Sequence, residues 1–187
     1  MDQPEHGTEM RKLVAYELLS LDGVAENPNN FIEWDESLDE NLGRVIASQN
    51  AVLLGRRTYD EWVGFWPTSD IEPFSSFINA VQKFVVTSTP LAAEWNNVTV
   101  LEGDDLITAV KRIKEQPGGD IGVHGSIELT QALLEAELID ELRLVVAPAL
   151  QPSGRRYFET SRPAQLELTR CVTSPTGYLL LDYRVRR

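Results

Sequence analysis

Three short runs in this 187-residue chain combine small residues with side chains that hold anions. Gly55-Arg56-Arg57-Thr58 places a glycine and two guanidinium groups where a strand gives way to a helix. Thr87-Ser88-Thr89-Pro90 puts three hydroxyls at the end of the apolar run KFVVT, and His124-Gly125-Ser126 ends the run DIGVH. A helix N-terminus offers unpaired N–H groups, glycine lets a ligand approach the backbone, and hydroxyl or guanidinium groups complete a phosphate shell. Each run also has a plainer reading. The first is a tight turn with Thr58 near a helix N-cap, and the second is a turn before proline. In the third, Ser126 caps a helix while His124 packs. A full G-x-G-x-x-G is missing, so the usual dinucleotide fingerprint does not apply. His6 and His124 lack Cys or His companions at ligand spacing, and no metal site is expected.

The elements that must position these runs alternate. Residues 11–18 (RKLVAYEL) read as a buried strand running into the turn Ser20-Leu21-Asp22-Gly23. Residues 25–35, with Pro28 and three asparagines, read as loop. Apolar spacing from Leu38 through Leu42, Val45 and Ile46 predicts a helix, with Ser37 as N-cap and Glu40 completing a capping box. Strands are expected at 51–54, 83–87, 98–101 and 120–124, and short helices at 58–63 and 75–81. Asp104 and Asp105 suit the start of a helix that stops at Pro117-Gly118-Gly119, and 127–136 is a further helix. After a strand at 141–147 no helix follows. Residues 165–173 and 178–185 alternate as two strands joined by Ser174-Pro175-Thr176-Gly177. The pattern predicts an α/β fold with a mostly parallel, helix-covered central sheet and antiparallel C-terminal strands.

Composition bounds the partners. With 42% hydrophobic and 25% charged residues, the chain can bury the core of a single domain, expected over 11–187. The first ten residues, MDQPEHGTEM, are expected to be a frayed tail and make a poor signal peptide. A net charge of −12 argues against nucleic acid and anionic membrane as partners. The single Cys171 and the lack of a long apolar run suit a reducing, cytoplasmic setting.

Taken together, LLGRRTYDEW (53–62), KFVVTSTP (83–90) and HGSIELTQALLEAELIDELRLVVAPALQPSGRRYF (124–158) resemble the dihydrofolate reductase fold. They are most similar to the branch typified by the reductase domain of bacterial riboflavin biosynthesis, and the opening YELLSLDG (16–23) fits that branch. The resemblance covers nearly all of the chain after residue 10. It implies NADPH as cofactor, with Gly55, Arg56 and Thr58 on its phosphates and Ser88 and Thr89, with Arg57 nearby, around the 2′-phosphate. It implies pyrophosphate held by the Gly125-Ser126-Ile127 backbone and nicotinamide passing Leu21-Asp22-Gly23. The family usually has two glycines where this chain has His124-Gly125, so a bulky His124 is expected to narrow the backbone approach.

The substrate side follows the same resemblance. The carboxylate that dihydrofolate reductases place early in the first helix falls on Asp39, with Asp35, Glu36 and Glu40 as competitors that the helix dipole alone would explain. Trp34, Trp62 and Trp66, with Tyr59 and Phe65, are aromatic enough to wall a flat heterocycle or simply to form core. Arg155 and Arg156 suit either an anionic substrate tail or a solvated turn. One cysteine and two histidines cannot build the zinc deaminase site often fused to such reductases. The implied activity is reduction of a small heterocycle, such as 5-amino-6-(5-phosphoribosylamino)uracil or a pterin, by a homodimer. A nucleotide-binding or regulatory protein that keeps the fold without turnover is the alternative, and a ligand-free oligomerising protein is a third.

Overall fold

The computed structural model describes residues 10–101 and 105–187. The expected tail and His6, together with Asp104, lie outside the described residues, save Met10. Among the described residues eight strands form one sheet in the order β4-β3-β2-β5-β1-β6-β8-β7. They are β1 (Leu13–Leu19), β2 (Gln49–Gly55), β3 (Gln82–Val86), β4 (Val98–Leu101), β5 (Asp120–His124), β6 (Glu141–Val146), β7 (Gln165–Thr173) and β8 (Leu179–Arg186). Pairing from β4 through β6 is parallel, and β6–β8 and β8–β7 are antiparallel. The helices are α1 (Glu36–Ile46), α2 (Arg56–Val63), α3 (Phe74–Ala80), α4 (Leu106–Lys114) and α5 (Ile127–Glu135).

The central strands are near-continuous apolar runs because helices cover them on both sides. One core packs Val110, Ile113, Ile127 and Leu133 of α4 and α5 against Leu13, Ala15 and Leu19 of β1. The other packs Leu38, Leu42, Tyr59 and Ile78 of α1, α2 and α3 against Tyr16 and Leu54. Buried Lys83 donates to Ile78 O and Val81 O at 2.7 and 2.9 Å, closing the end of α3 where carbonyls lack helical partners. The outermost strand, β7, is exposed along most of its length.

Two helix starts differ from the sequence reading. Asp35, not Ser37, caps α1: its side chain accepts from Leu38 N at 3.1 Å, and Ser37 donates its hydroxyl to the same carboxylate. Asp35 starts the helix two residues earlier, and Ser37, now inside its first turn, donates to the capping carboxylate instead of capping. Thr58 is the third residue of α2, whose N-cap is Gly55, so Thr58 caps nothing. The loop over 25–35 also contains a single 3-10 turn at Pro28–Asn30.

The connections fix where a ligand can go. β1 continues into α1 on one face of the sheet, and its neighbour β5 continues into α5 on the other. Adjacent parallel strands whose chains leave on opposite faces open a crevice beyond their carboxyl ends, the usual ligand position in open α/β sheets.

Candidate functional site

β1 and β5 pair only as far as Tyr16↔His124, and β1 then runs on for three residues beside β6 alone. Lys12 O accepts from Ile121 N on the β5 side, and Leu13 O accepts from Asp140 N on the β6 side. Even-numbered residues of β1 therefore present their backbone to β5, because the ladder alternates. Leu18 N–H points into the gap where β5 has stopped, and Glu17 Oε1 accepts it at 3.0 Å.

Two cavities open along this edge. The first, about 720 Å³, is walled by Gly55, Arg56, Arg57 and Ser126, with Val86 and Leu129 behind. The second, about 790 Å³, starts at Tyr16, Glu17 and Leu18, and both cavities share Arg57, Glu61, Ser126 and Glu128. The Gly55 and Ser126 junctions meet: a Cβ on Gly55 would lie 2.5 Å from Ser126 Oγ. Gly125 and Ser126 both take left-handed backbone, φ 65° and 64°. A Cβ on Gly125 would meet nothing within 4 Å, which leaves open space against the backbone before α5. Ser126 occupies the N-cap position of α5 but makes no side-chain cap bond.

The two arginines of the first run do different work. Arg56 pairs with Asp60 at 2.7 Å and donates to Thr89 Oγ1 at 2.7 Å and Pro90 O at 2.9 Å, tying α2 to the loop after β3. Among the described residues Arg57 reaches only Glu61, at 3.1 Å, through an exposed pair on its own helix. Ser88 and Thr89 are exposed and stand outside the walls of both cavities. Leu21, Asp22 and Gly23 also lie off both walls. Asp22 accepts from Ser20 Oγ and Gln151 N, and Arg156 donates to Asp22 O at 2.8 Å, so Arg156 fastens that turn. Arg155 does wall the second cavity, paired with Glu26 and Glu128 at 3.0 and 2.9 Å.

The second cavity gathers the expected substrate residues. Trp34, Trp62, Trp66 and Asp39 all line it, together with Thr58 and Ile127. Asp39 accepts the indole N–H of Trp34, so the carboxylate and the aromatic wall are joined. Asp35 is occupied as the α1 cap, and Glu36 and Glu40 are exposed away from the cavity. Trp62 and Trp66 stack edge-on, with Phe74 closing the group.

His124 lines the second cavity beside Gly125 but exposes little of itself there. Its ring turns into the core at 3% exposure, contacts Tyr16, Phe74 and Phe77, and bonds Gln49 Oε1 at 2.7 Å. Burial pushes its pKa down to about 3, so it stays neutral. Gly122 is what admits this pair, because a Cβ there would lie 2.1 Å from Gln49 Oε1.

Sequence reasoning missed Tyr16 and Glu17. The Tyr16 hydroxyl is buried on the cavity wall without a hydrogen-bond partner among the described residues. Glu17 is 7% exposed, and burial pushes its carboxyl up to about 8. The available signal was an acid inside the otherwise apolar run LVAYELL.

Comparison with known proteins agrees with this geometry. The Bacillus subtilis protein YyaP is 23% identical over 181 residues, covering 92% of this chain and 94% of YyaP. Among solved structures, a pyrimidine reductase-like protein from Corynebacterium diphtheriae superposes with a TM-score of 0.71 at 15% identity, covering 95% of this chain and 92% of that one. Dihydrofolate reductase from Enterococcus faecalis, solved in complex with NADP(H), gives 0.64 at 15% identity, covering 94% and 97%. These similarities establish the dihydrofolate reductase-like fold. The model of the RibD C-terminal domain matches residues 11–180, and the chain belongs to that family.

Proposed function

We propose that this protein is an NADPH-dependent reductase of a small heterocycle with a reducible C=N or C=O bond. The observation that carries the reading is the continuous crevice in which the Gly55 and Ser126 junctions touch at one end and an aromatic, carboxylate-bearing wall stands at the other. The Gly125-Ser126 backbone and the first N–H groups of α2 and α5 suit a pyrophosphate, because unpaired N–H groups there favour anions. Arg57, exposed and shared by both cavities, is the cation positioned to meet a further phosphate. The cofactor, when bound, supplies a hydride at its nicotinamide.

The chain's own residues would orient and shield the reactants. Trp62 and Trp66 offer ring faces and edges to a planar substrate, and Trp34 carries its indole N–H on Asp39 at the rim. The family and the pyrimidine reductase-like relative support reduction of a pyrimidine such as 5-amino-6-(5-phosphoribosylamino)uracil. Titration with NADPH and NADH, following quenching of the four tryptophans, tests the reading. NADPH is expected to bind at least tenfold more tightly. Binding without cofactor oxidation in the presence of a pyrimidine or pterin would leave the non-catalytic alternative in its place, and absent binding of both dinucleotides would favour the ligand-free oligomerising protein.

A further inference from the structure

We infer that Glu17 is the acid of this site, handing a proton to the substrate heteroatom as hydride reaches the neighbouring carbon. This assignment rests on the reductase reading above and names a residue for it.

Among the described residues six carboxyl side chains line the second cavity, and Glu17 is the buried one of these. Glu26 and Glu128 are paired with Arg155, and Glu61 with Arg57. Glu72 accepts from Ser76, and Asp39 from the Trp34 indole. All five are partly or fully exposed. Glu17 instead sits on β1 where the strand outruns β5, and the hydrogen bond on its carboxyl comes from Leu18 N to Oε1. That bond orients the group by one oxygen and leaves the other without a hydrogen bond among the described residues. No ion pair reaches Glu17 among the described residues.

The surroundings keep the group neutral. On its face of the sheet, α5 contributes Thr130 and exposed Glu128, whose charge Arg155 offsets. Tyr157 approaches from the segment after β6, and its phenol is itself held neutral by burial and bonded to Thr130 at 3.2 Å. The residue opposite Glu17 on β6 is Leu144, while Arg143 turns to Glu141 and Asp182. Glu26, beyond the Leu21–Gly23 turn, is engaged by Arg155. A desolvated carboxyl without a cation keeps its proton past neutrality, and burial brings Glu17 to about 8.

The chemistry needs such a group. When hydride adds to the carbon of C=N or C=O, the π electron pair moves to nitrogen or oxygen, which must gain a proton. The Glu17 O–H bond breaks as the new N–H or O–H bond forms, NADPH becomes NADP+, and the carboxylate recovers its proton from water. Tyr16, adjacent in sequence but on the opposite face, lines the same cavity, and its hydroxyl is buried without a hydrogen-bond partner among the described residues.

Glu17→Gln keeps an acceptor for Leu18 N and removes the transferable proton. With 5-amino-6-(5-phosphoribosylamino)uracil as substrate, and dihydrofolate as a second probe, the variant is expected to bind NADPH within twofold of wild type. Its kcat should fall at least 100-fold with KM within threefold, and the alkaline decline near pH 8 should vanish from the residual rate. Glu17→Asp should restore part of both rate and decline. Carbon-13 NMR of glutamate carboxyls in the wild type should show one resonance, lost in Glu17→Gln, that ionises near pH 8. Wild-type kcat and pH profile in the variant, or a Glu17 resonance already ionised at pH 7, would overturn the assignment alone. Failure of the wild type to bind NADPH would instead overturn the reductase reading and this assignment with it. Binding of NADPH without reduction of either probe would likewise remove both as stated.

Discussion

The glycine rim and the carboxylate-lined cleft share Arg57, Glu61, Ser126 and Glu128, yet they are built from different materials. At the rim the functional surface is main chain: the Gly125-Ser126 turn, the start of α5 and the start of α2, with Gly55 fitted against Ser126. In the cleft the surface is side chain, with rings, carboxyls and one phenol brought together from β1, α1, α2 and the loops around them. A rim of that kind admits few substitutions because each alters backbone position. A cleft of that kind can change residue by residue while the fold stays as it is. On the proposed function, cofactor choice and substrate choice would be written in separable parts of one crevice.

The contrast breaks first at Gly55. Gly55→Val would drive its side chain into Ser126 Oγ, only 2.5 Å from the Cβ position, and push the two junctions apart. The expected loss of NADPH affinity is at least 100-fold, about 3 kcal/mol, read by tryptophan quenching. Retained affinity would show that the junctions need not touch.

A smaller effect sharpens the cleft side. The Glu17 carboxyl rises from 4.5 to about 8 on folding, so the folded state holds a proton that the unfolded chain gives up. Its contribution is complete below pH 4.5 and is lost as pH climbs through 8. Glu17→Gln should therefore be more stable than wild type at pH 8, by roughly 1–3 kcal/mol, with the difference shrinking toward pH 4.5. Urea melts at both pH values check this; a variant less stable at pH 8 would mean that the carboxyl is not desolvated. His124 works in the other direction, falling from 6.5 to about 3. Its contribution is full above pH 6.5 and is lost as pH drops toward 3, giving an acid-labile limb that His124→Gln should flatten.

The smallest effects separate the two arginines. Arg57→Ala should weaken NADPH binding by about 1 kcal/mol and leave the melting temperature nearly unchanged, because its exposed pair with Glu61 stabilises little. Arg56→Ala should do the reverse, lowering stability by about 1 kcal/mol through loss of the tether to Thr89 and Pro90. Equal losses of NADPH affinity in both would erase the distinction between tether and ligand contact.

How much of this was legible in the sequence follows the same division. The strand and helix order, and the meeting of the 55–58 and 124–127 junctions on one edge, could be read from apolar periodicity and punctuation, which report local backbone preference. The cap of α1 could not, because Asp35 and Ser37 offer competing acceptors and only the three-dimensional approach decides. Ser88 and Thr89 looked like ligand groups for their hydroxyls, but they stand off both cavity walls, and Arg56, on the wall of the first, ties their loop to α2. Asp39 was reachable by its place in the first helix, and its bond to Trp34 was not. Glu17 was hidden for a plainer reason. Its protonation comes from burial and its orientation from the absence of β5 beside Leu18, and no residue near it in sequence announces where a distant strand stops.

The early end of β5 has a lasting consequence. It leaves β1 as a rail with a bare flank, whose spacing and direction are dictated by the ladder on its other side. Replacing residues cannot erase a rail made of peptide groups. Any molecule entering the crevice would therefore meet the same unclad strand, whatever side chains stand around it.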